Sequence, residues 1–206
     1  MIYNNKLTAE DELLVQGLCS RLPKGLQLID YPLTVLSDEV PDDPRLHDRG
    51  PYDFEMKLGY YVANEQKIVL LRKDIEKMAE VIAGEMDMDV PVSSLRAIVF
   101  IHELGHYYTH RLPLWTTSAY STELFNRSDE FVLEGWAQLF AVWALKQSPR
   151  QMDIFLHLLT KQSCPYHVFK EYDKDFDGKW DMGDLLHSLD RLRQLTSPAT
   201  KADWKV

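Results

Sequence analysis

The chain has 206 residues, of which 45% are hydrophobic and 27% are charged, and its net charge is −9 at pH 7. This length suits one domain with a sizeable core, and we predict a single domain over residues 1–206. The acidic balance argues against a nucleic-acid partner, because phosphate contacts need Lys and Arg.

The ends and the cysteines bear on the compartment. The polar, acidic N-terminus lacks the basic and apolar regions of a signal peptide, and no stretch approaches the roughly 18 apolar residues of a spanning helix. Cys19 and Cys164 are far apart and have no metal-like spacing. Such sparse cysteine use is typical of a reducing compartment, so we expect a cytoplasmic protein with no membrane partner.

The first part of the chain predicts a helix and short strands. Thr8 is the expected N-cap of the helix, with Asp11 as its capping-box partner. The apolar side of this helix is expected to consist of Leu13, Leu14 and Leu18. β-rich runs follow at LQLI (residues 26–29) and LTVL (residues 33–36), and the Pro- and Asp-rich residues 41–51 predict an exposed loop.

A hairpin and then helices are expected further along. Residues 58–62 and 67–71 are β-rich runs joined by four residues, which predicts a β-hairpin. The next helix has an apolar face made of Ile75, Met78, Ala79, Val81 and Ile82. Pro91 then breaks the chain, Ser93 is the expected cap, and residues 95–111 are expected to form a second helix.

The remainder is predicted to be helical apart from one long link. Residues 112–127 are expected to be irregular, and Ser128 is expected to open a third helix that lasts to about Lys146. Helical patterns continue from Pro149. A small β-sheet followed by helices is an α+β fold.

The segment IHELGHYYTH (residues 101–110) carries histidines at intervals of four residues. His102 and His106 share one helical face, where both imidazoles can bind one ion. Glu103 is rotated off that face but can reach a metal-bound water, which is the H-E-x-x-H arrangement of zinc hydrolases. His110 lies about 12 Å from His102 along a continuous helix and cannot bind the same ion.

An acidic residue on a separate helix is expected to complete a zinc site. The alternatives are Glu123, Asp129, Glu130 and Glu134. The first is a loop charge, and the next two are charges at a helix N-terminus. Glu134 is different because it lies mid-helix among apolar neighbours, where an ionised carboxylate is costly unless it is paired or binds a metal. We therefore predict that Glu134 is the third ligand of Zn²⁺.

These two segments together resemble a known family. HELGH followed by EGWAQLFA (residues 134–141) on a separate helix is similar to the gluzincins, zinc peptidases whose third ligand is Glu. The pattern E-x-x-A-Q-x-F-A resembles the E-x-x-A-N-x-F-A signature of the ImmA/IrrE-type compact metallopeptidases. The resemblance covers about residues 58–143. It implies that His102, His106 and Glu134 bind zinc and that Glu103 is the general base.

The same resemblance implies further features around the site. Gln138 stands where the family has an Asn or Asp, which implies an altered contact to a ligand histidine. Residues 67–71 stand where the family has an edge strand that pairs with the substrate, although an ordinary interior strand fits the sequence equally well. Gly105 permits close approach of the ligand helix, or it is simply a tolerated small residue.

A donor to the developing oxyanion is also needed. The alternatives are Tyr120, Tyr166, His167 and Tyr172. Each of them also fits a purely structural role, and the sequence does not choose among them.

A second metal pattern lies at residues 173–184, DKDFDGKWDMGD. Asp173, Asp175, Asp177 and Asp181 occupy positions 1, 3, 5 and 9 of an EF-hand-like loop, and Gly178 occupies position 6. Position 12 is Asp184 in place of the usual Glu, as in dockerin-type loops. The pattern predicts a structural Ca²⁺ site, and the alternative is a solvated acidic turn.

The sequence therefore favours a zinc-dependent peptidase that acts on a peptide or protein substrate. Zinc would activate a water, and Glu103 would transfer the proton. The alternative hypothesis is a non-catalytic zinc-binding regulatory or interaction protein that keeps the same scaffold.

Overall fold

The structure is a computed structural model that describes residues 7–22, 31–38, 57–111, 120–162, 164–167, 169–172 and 182–203. The strands are β1 (Leu33–Ser37), β2 (Gly59–Val62) and β3 (Lys67–Leu71). The helices are α1 (Ala9–Cys19), α2 (Arg72–Met86), α3 (Val92–Arg111), α4 (Thr122–Arg127), α5 (Glu130–Leu145), α6 (Pro149–Leu159), α7 (Cys164–His167), α8 (Phe169–Tyr172) and α9 (Met182–Arg193). The predicted α+β class is confirmed.

The predicted hairpin is present, but its second strand is not at an edge. The described sheet has the order β1-β3-β2, with β1 parallel and β2 antiparallel to β3. The edge-strand interpretation of residues 67–71 is therefore wrong. The reason is that β1, far away in sequence, pairs with the side of β3 that a hairpin alone leaves open. Within the described sheet, β2 is the edge strand on the side away from β1.

Helix α1 begins as predicted, but one residue predicted to lie on its apolar side is exposed. Thr8 and Asp11 form the reciprocal capping box. Leu18 is buried, whereas Leu13 is 70% exposed and does not belong to the apolar side. Val15 takes the inward position instead, because it lies three residues before Leu18 on the face that packs into the core.

Helix α2 confirms most of its predicted face. Ile75, Met78, Ala79 and Ile82 are buried. Val81 is 38% exposed, because it lies one residue from Ile82 and so about 100° around the helix from it. The predicted interior position of Val81 is therefore wrong.

Helix α3 is held at both ends by buried cations. Near its start, Arg96 pairs with the fully buried Asp11 of α1 at 2.5 Å. At its end, Arg193 of α9 donates to the backbone oxygens of Tyr108 and Thr109, which have no partner within the last turn of a helix. These contacts fix where α3 lies relative to its neighbours.

Other helix boundaries differ from the predicted ones. Helix α3 starts at Val92, and Ser93 donates to Glu10 of α1 rather than capping α3. The 112–127 link is not wholly irregular, because Ser121 caps the short helix α4. Asp129, one residue after the expected Ser128, caps α5 by accepting from the N–H of Phe131.

Two segments predicted in the N-terminal part of the chain lie outside the described residues. They are the β-rich run at residues 26–29 and the loop at residues 41–51. Within the described part of the chain, no helix combines the length and the apolar character that crossing a bilayer requires.

Candidate metal centre

The H-E-x-x-H segment lies in the middle of α3, which is buried on nearly all sides. Helix α5 crosses it at very short range. A Cβ built on Gly105 would lie 2.8 Å from the Cα of Ala137 and 3.2 Å from its carbonyl oxygen. Glycine is therefore required at position 105 by the close approach of α5, which is the helix that carries Glu134.

His102, His106 and Glu134 converge. The Nε2 atom of His102 lies 3.1 Å from Oε2 of Glu134, and the Nε2 atom of His106 lies 3.5 Å from Oε1. All of the ligand atoms lie within 4.8 Å of one another. The two imidazole rings are perpendicular, with centroids 4.9 Å apart. Among the described residues, this is the group of His, Cys, Asp and Glu side chains with spacing suited to a metal ion.

The residues present fit zinc. Tetrahedral ligands at about 2.0–2.1 Å from zinc lie roughly 3.4 Å from one another, close to the separations of Glu134 from each imidazole. The donor set of two imidazoles and one carboxylate also suits zinc. Moreover, Nδ1 of His102 is buried without a hydrogen-bond partner in the described residues, and Oε2 of Glu134, although 3.1 Å from Nε2 of His102, does not have the geometry of a hydrogen bond there. Buried polar atoms are rarely left unpaired, so a bound cation accounts for the converging carboxylate oxygen.

The Glu134 carboxylate is ionised in this setting. Burial acts to raise its pKa, but the charges and short contacts of His106 and His102 outweigh burial and hold the pKa well below its usual range. An anionic carboxylate facing two imidazole nitrogens favours a cation at their meeting point.

Glu103 lies next to this cluster but is not part of it. Burial raises the pKa of its carboxyl to about 7; the His102 charge acts to lower it, and the Glu134 charge acts to raise it. Lys57 and a hydrogen bond from the backbone N–H of Tyr61 lower it by smaller amounts. Its Oε2 atom has no partner among the described residues. A buried carboxyl with a pKa near neutrality is suited to accept and return a proton.

The other acidic alternatives have different roles. Glu123 is an exposed residue paired with Arg127 at 3.3 Å. Asp129 is the N-cap of α5, and Glu130 is exposed in its first turn. Within the described residues, none of these carboxylates belongs to the group of side chains that could hold a metal ion.

His110, the third histidine, is fully buried and points elsewhere. Its Nδ1 atom lies 2.9 Å from the hydroxyl of Tyr61, and its Nε2 atom lies 3.1 Å from the hydroxyl of Thr122. Its ring also packs against Phe125, with centroids 4.9 Å apart. Burial, with smaller contributions from the charges of Arg111 and Arg193, lowers the pKa of His110 to about 4. His110 is thus a neutral residue outside the cluster, as the spacing predicted.

The four candidate oxyanion donors differ in their position relative to the cluster of His102, His106 and Glu134. Tyr120 is buried, and its hydroxyl contacts Ser128 and accepts from the N–H of Ala199. His167 contacts the carbonyl of Gln162 and the amine of Lys170. The side chain of Tyr172 lies outside the described residues. Tyr166 alone among these four is described beside the cluster, with its ring centroid 5.8 Å from that of His102.

A small cavity opens beside His102 and Glu103. Its volume is about 50 Å³, and its wall is formed by β2, α3, α5 and α6 together with Tyr166. Gln138 lines it but does not make the expected contact with a ligand histidine. Its amide donates to Gln162 at 3.0 Å, while its own carbonyl oxygen and the Nδ1 atom of His102 have no hydrogen-bond partner among the described residues. Glutamine is one methylene longer than asparagine, and this extra reach takes the amide to Gln162.

Sequence reasoning missed two groups at this site. Lys57 lines the cavity, and the backbone N–H of Tyr61 acts to lower the pKa of Glu103. Lys57 directly precedes a predicted strand and had no motif to mark it. The contribution of Tyr61 is a main-chain group, so its side-chain identity carried no signal.

The chain has no match among protein-family profiles, curated proteins or solved structures. The interpretation of the site therefore depends on its own residues and geometry. The predicted calcium ligands Asp173, Asp175, Asp177 and Asp181 lie outside the described residues, as does the side chain of Asp184. Calcium binding there stays a prediction.

Proposed function

We propose that the chain is a zinc-dependent peptidase of the compact gluzincin type. The observation that carries this proposal is the convergence of His102, His106 and Glu134, with the buried carboxyl of Glu103 beside them. The substrate would be a peptide or protein. A cytoplasmic location stays a prediction from the sequence.

The proposed chemistry assigns a separate task to each residue. His102, His106 and Glu134 hold the zinc ion, which when bound supplies a Lewis acid for water and for the scissile carbonyl. Glu103 accepts a proton from the water whose oxygen attacks the carbonyl carbon. It then delivers that proton to the amine nitrogen as the C–N bond breaks. Tyr166, beside His102, is the residue we assign to stabilise the developing negative charge on the carbonyl oxygen.

A matched set of charge-removing variants tests this function. Glu103→Gln keeps the ligands but cannot accept the proton, so zinc content should stay at the wild-type level while kcat falls roughly 10²–10⁴-fold. Glu134→Gln removes a charged ligand, so zinc affinity and activity should fall together. The control is Glu123→Gln, which removes the same charge at an exposed position and should change neither quantity. Zinc content and cleavage of a peptide library are measured on all four proteins.

Two results would each reject a different part of this proposal. Wild-type activity in Glu103→Gln would reject the general-base role. A wild-type protein without zinc after exposure to excess zinc would reject the metal centre itself.

A non-catalytic zinc-binding protein is the second proposal. The observation that favours it is the size of the cavity, because about 50 Å³ is far below the roughly 300–1,000 Å³ of typical ligand pockets. Zinc binding by wild type without cleavage of any peptide in the library would support this alternative.

A further inference from the structure

Lys57 lines the same cavity as His102 and Glu103, and the proposed chemistry gives it no task. Among the described residues that line this cavity, it is the one with a permanently positive side chain. Lys57 is half-buried, and its amine lies 5.9 Å from the ring centroid of Tyr60. Within the described part of the chain, no carboxylate forms an ion pair with this amine. A partly desolvated ammonium group without an anionic partner is suited to meet a negatively charged ligand.

The chain that follows Lys57 is held in place on two sides. The next residue, Leu58, is buried, and its carbonyl accepts from the N–H of Leu71 at the end of β3, at 2.8 Å. Gly59 then lets β2 lie against α3, because a Cβ built there would lie 2.9 Å from Cγ1 of Val99. The backbone from which the Lys57 side chain starts is therefore fixed beside the cavity, and the flexible stem is left to adjust to a ligand.

The cavity suits a small charged group. Its volume is about 50 Å³. A water molecule occupies about 30 Å³ in the liquid, so this cavity accommodates a terminal group the size of a carboxylate rather than an aromatic side chain. The apolar part of its wall is formed by Leu58, Ile98, Val99, Phe155 and Leu158. Apolar walls lower the local dielectric, and this strengthens the attraction between an ammonium group and a carboxylate.

We propose that Lys57 determines specificity by binding a carboxylate of the substrate beside the scissile bond. Its effect on cleavage rests on the proposed peptidase function, whereas carboxylate binding by Lys57 does not. The carboxylate is that of an acidic side chain or that of the substrate's C-terminus, which offer the same chemistry. The net charge of −9 repels acidic peptides in general, so a preference for them would come from a local cation.

Three versions of one peptide distinguish the two sources of the carboxylate. The parent is a neutral peptide that the wild-type protein cleaves, with Gln beside the cleaved bond and with both termini blocked. The second version replaces this Gln with Glu, and the third keeps Gln but has a free C-terminal carboxylate. We expect kcat/KM for the second or the third version to exceed that for the parent roughly 10-fold, because a charge-assisted hydrogen bond forms only there. Equal values of kcat/KM for all three versions would overturn the proposal.

Substitutions at Lys57 test whether its charge causes this preference. Lys57→Met keeps the length of the stem and removes the charge, so the three versions should be cleaved to within about twofold of one another. Lys57→Arg keeps the charge and should retain a preference of roughly threefold or more. The control is Lys77→Met, which removes the same charge at an exposed position on α2 and should keep the wild-type preference. A preference that survives in Lys57→Met, or that is lost in Lys57→Arg, would overturn the proposal.

Peptide binding tests the recognition without turnover. The three versions are titrated into zinc-treated Glu103→Gln protein with and without Lys57→Met, and Kd is measured by NMR. We expect a roughly 10-fold lower Kd for the preferred carboxylate peptide than for the parent when Lys57 is present, and equal values in Lys57→Met. Equal values in the presence of Lys57, or binding of none of the peptides, would overturn the proposal.

The same titration distinguishes failure of this inference from failure of the proposed function. If the wild-type protein cleaves no library peptide, the parent is a blocked peptide of Ala and Gln, and the wild-type protein is titrated in place of Glu103→Gln. Carboxylate binding that depends on Lys57 in a protein that cleaves nothing would reject the peptidase function and keep the recognition. Cleavage with no preference for a carboxylate would keep the peptidase function and reject the recognition.

Discussion

The two ends of the histidine series on α3 have the same residue type, helix and spacing but opposite surroundings. At His102 and His106 the imidazoles face a buried carboxylate, and Nδ1 of His102 has no hydrogen-bond partner in the described part of the chain. At His110 both ring nitrogens have hydroxyl partners within 3.1 Å. Proteins rarely bury unpaired polar groups. The end with His102 and His106 therefore has the properties of a ligand site, whereas the end with His110 has those of a fully hydrogen-bonded core.

The difference arises because different elements pack against the two ends of this histidine series on α3. Helix α5 passes His102 and His106 so closely that only glycine fits at position 105, and it brings Glu134 with it. About one turn further along, β2 and α4 bring hydroxyl groups to His110. Two imidazoles and a carboxylate form a group that could hold a metal ion, whereas hydroxyl partners satisfy a neutral imidazole completely.

The largest expected effect comes from making one substitution at both ends. His102→Gln removes a proposed ligand and should weaken zinc binding by more than about 100-fold, with activity lost in parallel. His110→Gln should bind zinc with wild-type affinity but destabilise the fold by about 1–3 kcal/mol, because a buried imidazole is replaced by a group that pairs less well. Zinc titration and urea unfolding check both variants. Equal zinc affinities in the two variants would contradict the proposal that His102 is a zinc ligand and His110 is not.

The helix crossing itself can be tested with a pair of glycines. Gly105→Ala places a Cβ 2.8 Å from the backbone of Ala137, so α3 and α5 must separate, and we expect a loss of about 1–3 kcal/mol together with weaker zinc binding. Gly84→Ala, in the interior of α2, meets nothing within 4 Å. It should stabilise the protein by about 0.5–1 kcal/mol through helix propensity. Unfolding free energies measure both, and a neutral or stabilising Gly105→Ala would contradict the close crossing.

The smallest expected effect is a pH dependence at the His110 end. The pKa of His110 is about 4 in the folded protein, because of burial first and then of Arg111 and Arg193, and about 6.5 in an unfolded chain. The unfolded chain therefore binds the extra proton first as the pH falls. The resulting stability is fully present above pH 6.5 and is lost progressively as the pH falls from 6.5 to 4.

Subtracting a variant isolates this contribution from the other titrating groups. The free energy of unfolding is measured from pH 4 to 8 for wild type and His110→Gln. The difference between the two curves should shrink as the pH falls through this window. A difference that stays constant with pH would show that His110 does not keep a depressed pKa.

Much of the local structure could be predicted because its causes are close in sequence. The capping box of Thr8 and Asp11 needs residues three apart, and the hairpin needs two β-rich runs and a short connection. The convergence of His102 and His106 follows from the helical period. Glu134 was identified by the free-energy cost of burying a charge. A carboxylate among apolar residues indicates a partner even when the sequence does not show which residue or ion that partner is.

The predictions that were wrong share a different cause. The central place of β3 depends on β1, which joins from far earlier in the chain. The role of Ser93 depends on Glu10 of α1, and the course of the Gln138 amide depends on Gln162. In each case the deciding partner is distant in sequence, and local patterns contain no information about it.

The sequence by itself determined the α+β class, the helical face that pairs His102 with His106, and the choice of Glu134 as their carboxylate partner. These follow from periodicity and from the cost of burying charge, which are properties of a segment and its neighbours. Only the tertiary structure decided that α5 crosses α3 at Gly105, that β2 rather than β3 lies beside Glu103, and that His110 is bound by Tyr61 and Thr122. These depend on which surfaces meet when helices and strands pack together, and the meeting surfaces come from residues far apart in the chain.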